Sequence, residues 1–196
     1  MTAKHEITHD DILPMEVFAR ERRDRRRALA DIKRDRRLAL GPSATLYFEN
    51  YDTMWWQVHE MLLVEGGGEA QLADELAAYN PLIPKGQELV ATLMFEIDDP
   101  VRRDALLDRL GGVEHGLRLT VDGETIVAVP EGDVERTTED GRASAVHFLH
   151  FPFTPNQIAR FRAADARVVV AIEHPAYGHM TVMPDAVRQA LARDFD

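Results

Sequence analysis

Apolar positions recur along the chain in two rhythms, one near 3.6 residues and one near two. Met15, Phe18, Leu29 and Ile32 fall along one side of a helix expected from Met15 to Leu38. Arg25 and Arg36 lie on that same side. A guanidinium on an apolar face needs a partner, because burying a lone charge is expensive. Two readings follow: ion pairs to carboxylates such as Glu49 or Glu60, or an anion-binding pair of arginines. Gly41-Pro42-Ser43 ends this region, and Ala44 to Phe48 has the composition of a short strand.

The stretch from Phe48 to Ile97 organises the rest. Asp52 is the expected N-cap of a helix running to Glu65. Met54, Trp55, Val58, Met61 and Leu62 form a wide apolar arc that Trp56 and Leu63 extend, so most of this helix is buried. Thr53, Gln57 and Glu60 leave a narrow polar seam, and His59 sits among apolar neighbours on the Trp55 side. Three glycines at 66–68 stop the helix, and a second helix, Glu69 to Tyr79, folds back beside it. Asn80-Pro81 ends that helix, and Pro84-Lys85-Gly86 makes a turn. Glu88 to Ile97 then alternates with apolar residues on both faces, the mark of a covered central strand.

Downstream come a helix from Pro100 to Leu110, strands at Leu117–Val121 and Thr125–Val129 about an Asp122-Gly123 turn, and a polar loop over 131–142. A strand from Ala143 to Phe153 follows, then a helix from Pro155 to Arg162 capped by Thr154, and a strand from Arg167 to Glu173. A loop over 174–179 and a helix from Pro184 to Phe195 complete the chain. The pattern predicts an α+β fold: N-terminal helices packed on an antiparallel or mixed sheet, a ferredoxin-like variant with an extra strand. A single domain is expected over residues 1–196, with 1–86 mainly helical and 87–196 carrying the sheet. Residues 1–13 are polar and expected to be loosely attached.

Composition narrows the function classes. The 45% hydrophobic content suits a globular core, and no apolar run approaches the length of a membrane span. No secretory signal is visible at the N-terminus, so a cytoplasmic location is expected. The chain has no cysteine, which excludes disulfides and a cysteine-ligated iron–sulfur cluster within it; any divalent metal would need His and Glu or Asp ligands. Net charge is −11, yet Arg20 to Arg37 holds ten Arg/Lys against four Asp/Glu. The strongly acidic remainder argues against nucleic acid as the main partner. A homodimer is the default expectation for assembly.

Nucleotide-binding glycine loops, the G-x-S-x-G elbow and the EF-hand loop are absent. Glu6 and His9 have E-x-x-H spacing, but a di-iron bundle needs two such pairs and there is no second. Candidates for metal, ligand or acid/base work are Glu49, His59 and Glu60 on or beside the buried helix, although His59 and Glu60 point about 100° apart. His174, Tyr177 and His179 form a second candidate group, on a loop just after a strand. Arg25 and Arg36 are the anion-pairing candidates. His147 and His150, three apart on a strand, face opposite ways and cannot chelate together.

FENYDTMWWQVHEM, ELAAYNPLIP, ELVATLMFEI, AVHFLHF and AIEHPAY, in this order and at these spacings, resemble the bacterial family known as domain of unknown function 3501. The resemblance covers nearly the whole chain. It implies an accessory role in redox or peroxide metabolism, because members are often encoded beside rubrerythrin-like and iron–sulfur proteins, which would be the partners. The leading expectation is therefore an accessory or binding protein that acts through such a partner or through a small anionic or metal ligand. The alternatives are an enzyme, as a metal-assisted hydrolase or acid/base catalyst using Glu and His, and a purely structural interaction domain.

Overall fold

The computed structural model describes residues 4–132, 136–138 and 140–196. Helix α1 (Met15–Arg34) leads into a β-hairpin, β1 (Arg37–Leu40) and β2 (Ala44–Glu49). The helix is four residues shorter than its apolar spacing suggests. Leu38 and Leu40 alternate with exposed neighbours instead of continuing the helical stripe. Gly41 adopts φ +71 in the turn, and a Cβ there would meet the His179 ring at 2.5 Å, so the hairpin needs glycine.

Helix α2 (Tyr51–Glu65) is capped by Asn50 rather than Asp52. The Asn50 side chain accepts from the Thr53 amide while the Thr53 hydroxyl accepts from the Asn50 amide. Asp52 remains in the first turn, where its charge suits the helix dipole. Helix α3 (Gly68–Tyr79) and a 3-10 turn at Asn80–Leu82 return the chain to β3 (Glu88–Phe95). After α4 (Pro100–Leu107) come β4 (Leu117–Val121), β5 (Glu124–Val127), β6 (Val129–Pro130), β7 (Val146–Pro152), α5 (Pro155–Arg162), β8 (Val168–Ile172), β9 (His179–Val182) and α6 (Asp185–Leu191). The β4–β5 turn has positive φ at both Asp122 and Gly123, as a tight hairpin requires. Residues 133–135 and 139 of the expected polar loop lie outside the described residues.

The fold is α+β with antiparallel sheets, as expected. The difference is the partition: the strands divide into a five-stranded sheet, β1-β2-β3-β7-β6, and a four-stranded sheet, β5-β4-β8-β9, instead of forming one ferredoxin-like layer. The inner faces pack together. Leu46, Phe48, Leu89, Leu93 and Phe151 from the first sheet share one core with Leu117, Leu119, Val170 and Ile172 from the second. Each such fully buried side chain contributes about 1.5–3 kcal/mol, enough that a register slip of one residue would be prohibitive.

The outer face of the five-stranded sheet is covered by α2, α3 and the N-terminal segment, around Met54, Val58, Leu72, Leu82 and Val90. That segment is tied down from residue 4 onward. Ile7 is buried, its backbone exchanges two hydrogen bonds with the Asn80 side chain, and Trp55 Nε1 donates to the Asp11 carbonyl at 2.8 Å. The expected loose attachment is thus replaced by a strap over α2 and α3. No described helix is long and apolar enough to cross a membrane.

Candidate functional site

The site grows from the outward face of β2 and β3. Alternation puts Tyr47 and Glu49 of β2 and Thr92 and Met94 of β3 on that face, with Tyr47 opposite Thr92. Val146 and Phe148 of β7 extend the row, since Thr92 pairs with Phe148 and Met94 with Val146. The first turns of α2 then lay Thr53, Met54 and Gln57 over these strands, and the end of α3 adds Tyr79. These residues, with Lys33, Arg36, Phe48 and Leu82, enclose a pocket of about 380 Å³. Tyr47, Gln57, Tyr79, Met94, Val146 and Phe148 are only half-buried, so the pocket reaches solvent.

Glu49 lies at its polar end and is 8% exposed. The Thr53 hydroxyl donates to Oε2 at 2.6 Å and the Thr92 hydroxyl to Oε1 at 2.7 Å. Among the described residues, no Lys, Arg or His forms an ion pair with it. Gln57 Nε2 reaches the Tyr79 hydroxyl at 3.5 Å on the opposite wall.

Arg36 passes beside Glu49 without touching its carboxylate. Nε donates to the Phe48 carbonyl at 3.0 Å and Nη2 to the Glu49 carbonyl at 2.9 Å. Nη1 donates to Asp194 Oδ1 at 3.1 Å, and Nη2 also donates to Oδ2 of Asp194. Both partners are buried. Burial pushes the Asp194 carboxyl up, while the Arg36 guanidinium opposes that shift. The ion pairs expected from Arg25 or Arg36 to Glu49 or Glu60 therefore do not form among the described residues. Glu60 instead receives a bidentate pair from Arg22, at 2.8 and 2.7 Å, which lowers its pKa. Arg25 bonds Glu21 one turn away and lies over the Trp55 ring at 5.1 Å. On a helix as exposed as α1, charges meet their nearest neighbours first.

His59 is fully buried and fully satisfied. Its Nδ1 donates to the Trp55 carbonyl at 2.7 Å, and its Nε2 accepts from the Leu13 amide at 3.0 Å. Burial holds its pKa below the usual histidine value. This neutral ring fastens the N-terminal strap to α2.

The second candidate group does not converge on a free site. The Tyr177 hydroxyl donates to the Leu40 carbonyl at 2.7 Å and accepts from the Ser43 amide at 2.9 Å, locking the loop to the β1–β2 hairpin. His179 begins β9 and packs edge-on against Tyr177 with centroids 4.4 Å apart. His174 Nε2 donates to the Gly111 carbonyl at 3.3 Å, while Nδ1 accepts from the Ala176 amide. His147 and His150 face opposite ways, as strand geometry requires. His147 is fully buried, donates through Nε2 to the Ser144 carbonyl at 2.9 Å, and is pushed down in pKa by burial. His150 bridges Glu88 at 2.9 Å and Glu131 at 2.7 Å; Glu88 first, with Glu131, raises its pKa.

Two signals in the sequence pointed elsewhere than they first suggest. His5-Glu6-Ile7-Thr8-His9 spells the H-E-x-x-H pattern, which binds zinc from one face of a helix. Here residues 5–8 lie outside any helix. His5 bonds the Pro84 carbonyl and Asp196, and His9 bonds Glu69, so the two imidazoles are not held together. Among the described residues, no group of three or more His, Asp or Glu is placed to hold a metal ion. Thr92, by contrast, is a polar residue inside an apolar strand, a signal that reading the strand as apolar on both faces passes over.

The family model of DUF3501, "Protein of unknown function", matches residues 6–195. The chain belongs to this family. A crystal structure of a novel protein of unknown function from Burkholderia pseudomallei K96243 is similar throughout. Its TM-score is 0.89 at 34% identity, covering 97% of this chain and 99% of that one. No curated protein matches the chain. The two-sheet fold and its helical cover are therefore shared with that crystal structure.

Proposed function

We propose that this protein is a binding protein whose site is the pocket between α2 and the five-stranded sheet. One observation carries the reading: an apolar-walled pocket of about 380 Å³, open to solvent, has a buried carboxylate and two buried hydroxyls at one end. Small-molecule sites have this composition, with apolar walls and a few fixed polar groups. The accessory role in redox metabolism, with an iron–sulfur or rubrerythrin-like partner, comes from the family resemblance and is the setting in which ligand occupancy would be reported. The other candidates on or near the two sites are mostly committed elsewhere. His59, Tyr177 and His174 spend their polar atoms on neighbouring backbone, Glu60 is paired with Arg22, and His179 packs against Tyr177, whereas Glu49 lines the pocket.

Ligand-detected NMR with small aromatic probes tests the proposal, using wild type and Met94→Trp. Met94 is half-buried on the pocket wall, so a larger ring there fills the space. Probe binding that disappears in Met94→Trp while the thermal midpoint holds supports the pocket. Unchanged binding in that variant would place the probe elsewhere and overturn the reading.

A further inference from the structure

The geometry points to a ligand class, an inference that rests on the pocket reading above: we propose that the pocket takes a small organic cation, a primary amine on a compact apolar body, with its ammonium on Glu49. The first support is an uncompensated charge. Buried carboxylates in folded proteins are ordinarily paired with a cation, because desolvation is otherwise unrecovered. Among the described residues, Glu49 has a hydroxyl partner on each oxygen, from Thr53 and Thr92. Both hydroxyls donate, which suits an ionised acceptor, and an ionised carboxylate offers about four lone-pair sites, so roughly half remain open.

Nearby positive charge does not fill that role. Arg36 is the buried cation of the lining, but its donors are committed to two backbone carbonyls and Asp194, and its charge is matched by Asp194; Lys33, the other cation of the lining, is exposed. The same commitment removes Arg36 as a partner for an anionic ligand, which leaves it the exposed Lys33, a solvated point charge. A divalent metal is a poor fit as well, because one carboxylate cannot supply the six or more oxygens a calcium ion takes. The walls favour an organic cation instead. Tyr79 presents an aromatic ring, whose face attracts ammonium groups; Arg37 and Arg136 already lie over the rings of Tyr47 and Phe148, at 5.8 and 4.5 Å, and Met54, Leu82 and Val146 can cover an apolar body. At about 30 Å³ per water-sized volume, the space suits on the order of ten non-hydrogen atoms.

Benzylamine and benzyl alcohol differ chiefly in charge and make the test. Calorimetric titration and ligand-detected NMR at neutral pH would compare them, with benzoate and calcium as controls, on wild type, Glu49→Gln and Met94→Trp. The expected result is benzylamine bound about tenfold or more tighter than benzyl alcohol, the size of one charge-assisted hydrogen bond. Glu49→Gln should bring the two to the same affinity, and Met94→Trp should weaken both. Should Glu49→Gln not fold, Gln57→Glu gives the opposite readout. A second carboxylate on the half-buried wall should widen the amine preference. Equal affinity for amine and alcohol in wild type, with both lost in Met94→Trp, overturns the cation inference and leaves the pocket standing. Tighter binding of benzoate or calcium than of benzylamine also overturns it. Binding of none of the probes overturns the pocket reading and this inference together.

Discussion

Two buried carboxylates lie on either side of Arg36, and they are treated in opposite ways. Asp194 receives the guanidinium on both oxygens and closes a seam between the β1–β2 hairpin and the C-terminal turn. Glu49 receives two hydroxyls and faces a space. The two are similarly buried, each 8% exposed, so burial alone does not separate structure from function. The pairing does. A charge that is fully answered within the chain serves the fold, and one left partly unanswered is available to something from outside.

The strongest way to sharpen that contrast is to break the seam. Arg36→Met should destabilise by about 3–5 kcal/mol, because Asp194 is left buried without its cation and two carbonyls lose their donor. A shifted denaturant midpoint with an unchanged slope would measure it. His59→Phe comes next, at about 1–3 kcal/mol, since the Leu13 amide and the Trp55 carbonyl each lose a buried partner. Limited proteolysis should then cut the N-terminal strap first.

The histidines predict opposite pH behaviour. His59 and His147 have folded pKa values below the ordinary 6.5, so their share of stability is present above about pH 6.5 and is lost as pH falls below it. His150 is raised, so its share is complete below about pH 6.5 and fades as pH climbs through its folded value. The stability difference between wild type and His150→Gln should therefore shrink from pH 6 to pH 9, as read from urea melts across that range. The smallest expected effect is at the site itself. Glu49→Gln keeps an acceptor for one threonine hydroxyl and offers Nε2 as a donor to the other, so it should change stability by less than about 1 kcal/mol. A loss as large as that of Arg36→Met would erase the contrast and make Glu49 a structural residue.

Much of the covered face was legible in the sequence. The wide apolar arc of α2, the two-faced pattern of β3 and the Asp122-Gly123 turn are strong local signals. The polar seam of Thr53 and Gln57 faces the pocket, whereas Glu60 diverges to Arg22 on α1. What could not be read is what depends on distant partners. β1 and β9 are four residues each, too short for alternation to outvote helical or loop readings. They lie beside one another, with Thr181 donating to the Ala39 carbonyl, although 142 residues separate them. The split into two sheets has the same origin, since each strand shows its apolar rhythm but not its neighbour. Asn50 and Asp52 are both good caps by type, and only the Asn50–Thr53 exchange decides between them.

The Arg36–Asp194 seam also carries a kinetic meaning. Its partners are 158 residues apart, so closing it gathers in almost the whole chain before any reward is collected. We expect a contact this distant in the chain to close after the barrier has been crossed. Arg36→Met should thus leave the refolding limb of the chevron nearly where it was and steepen the escape from the native state. That outcome would make the seam a late latch, one that governs how long the folded molecule lasts more than how quickly it is made.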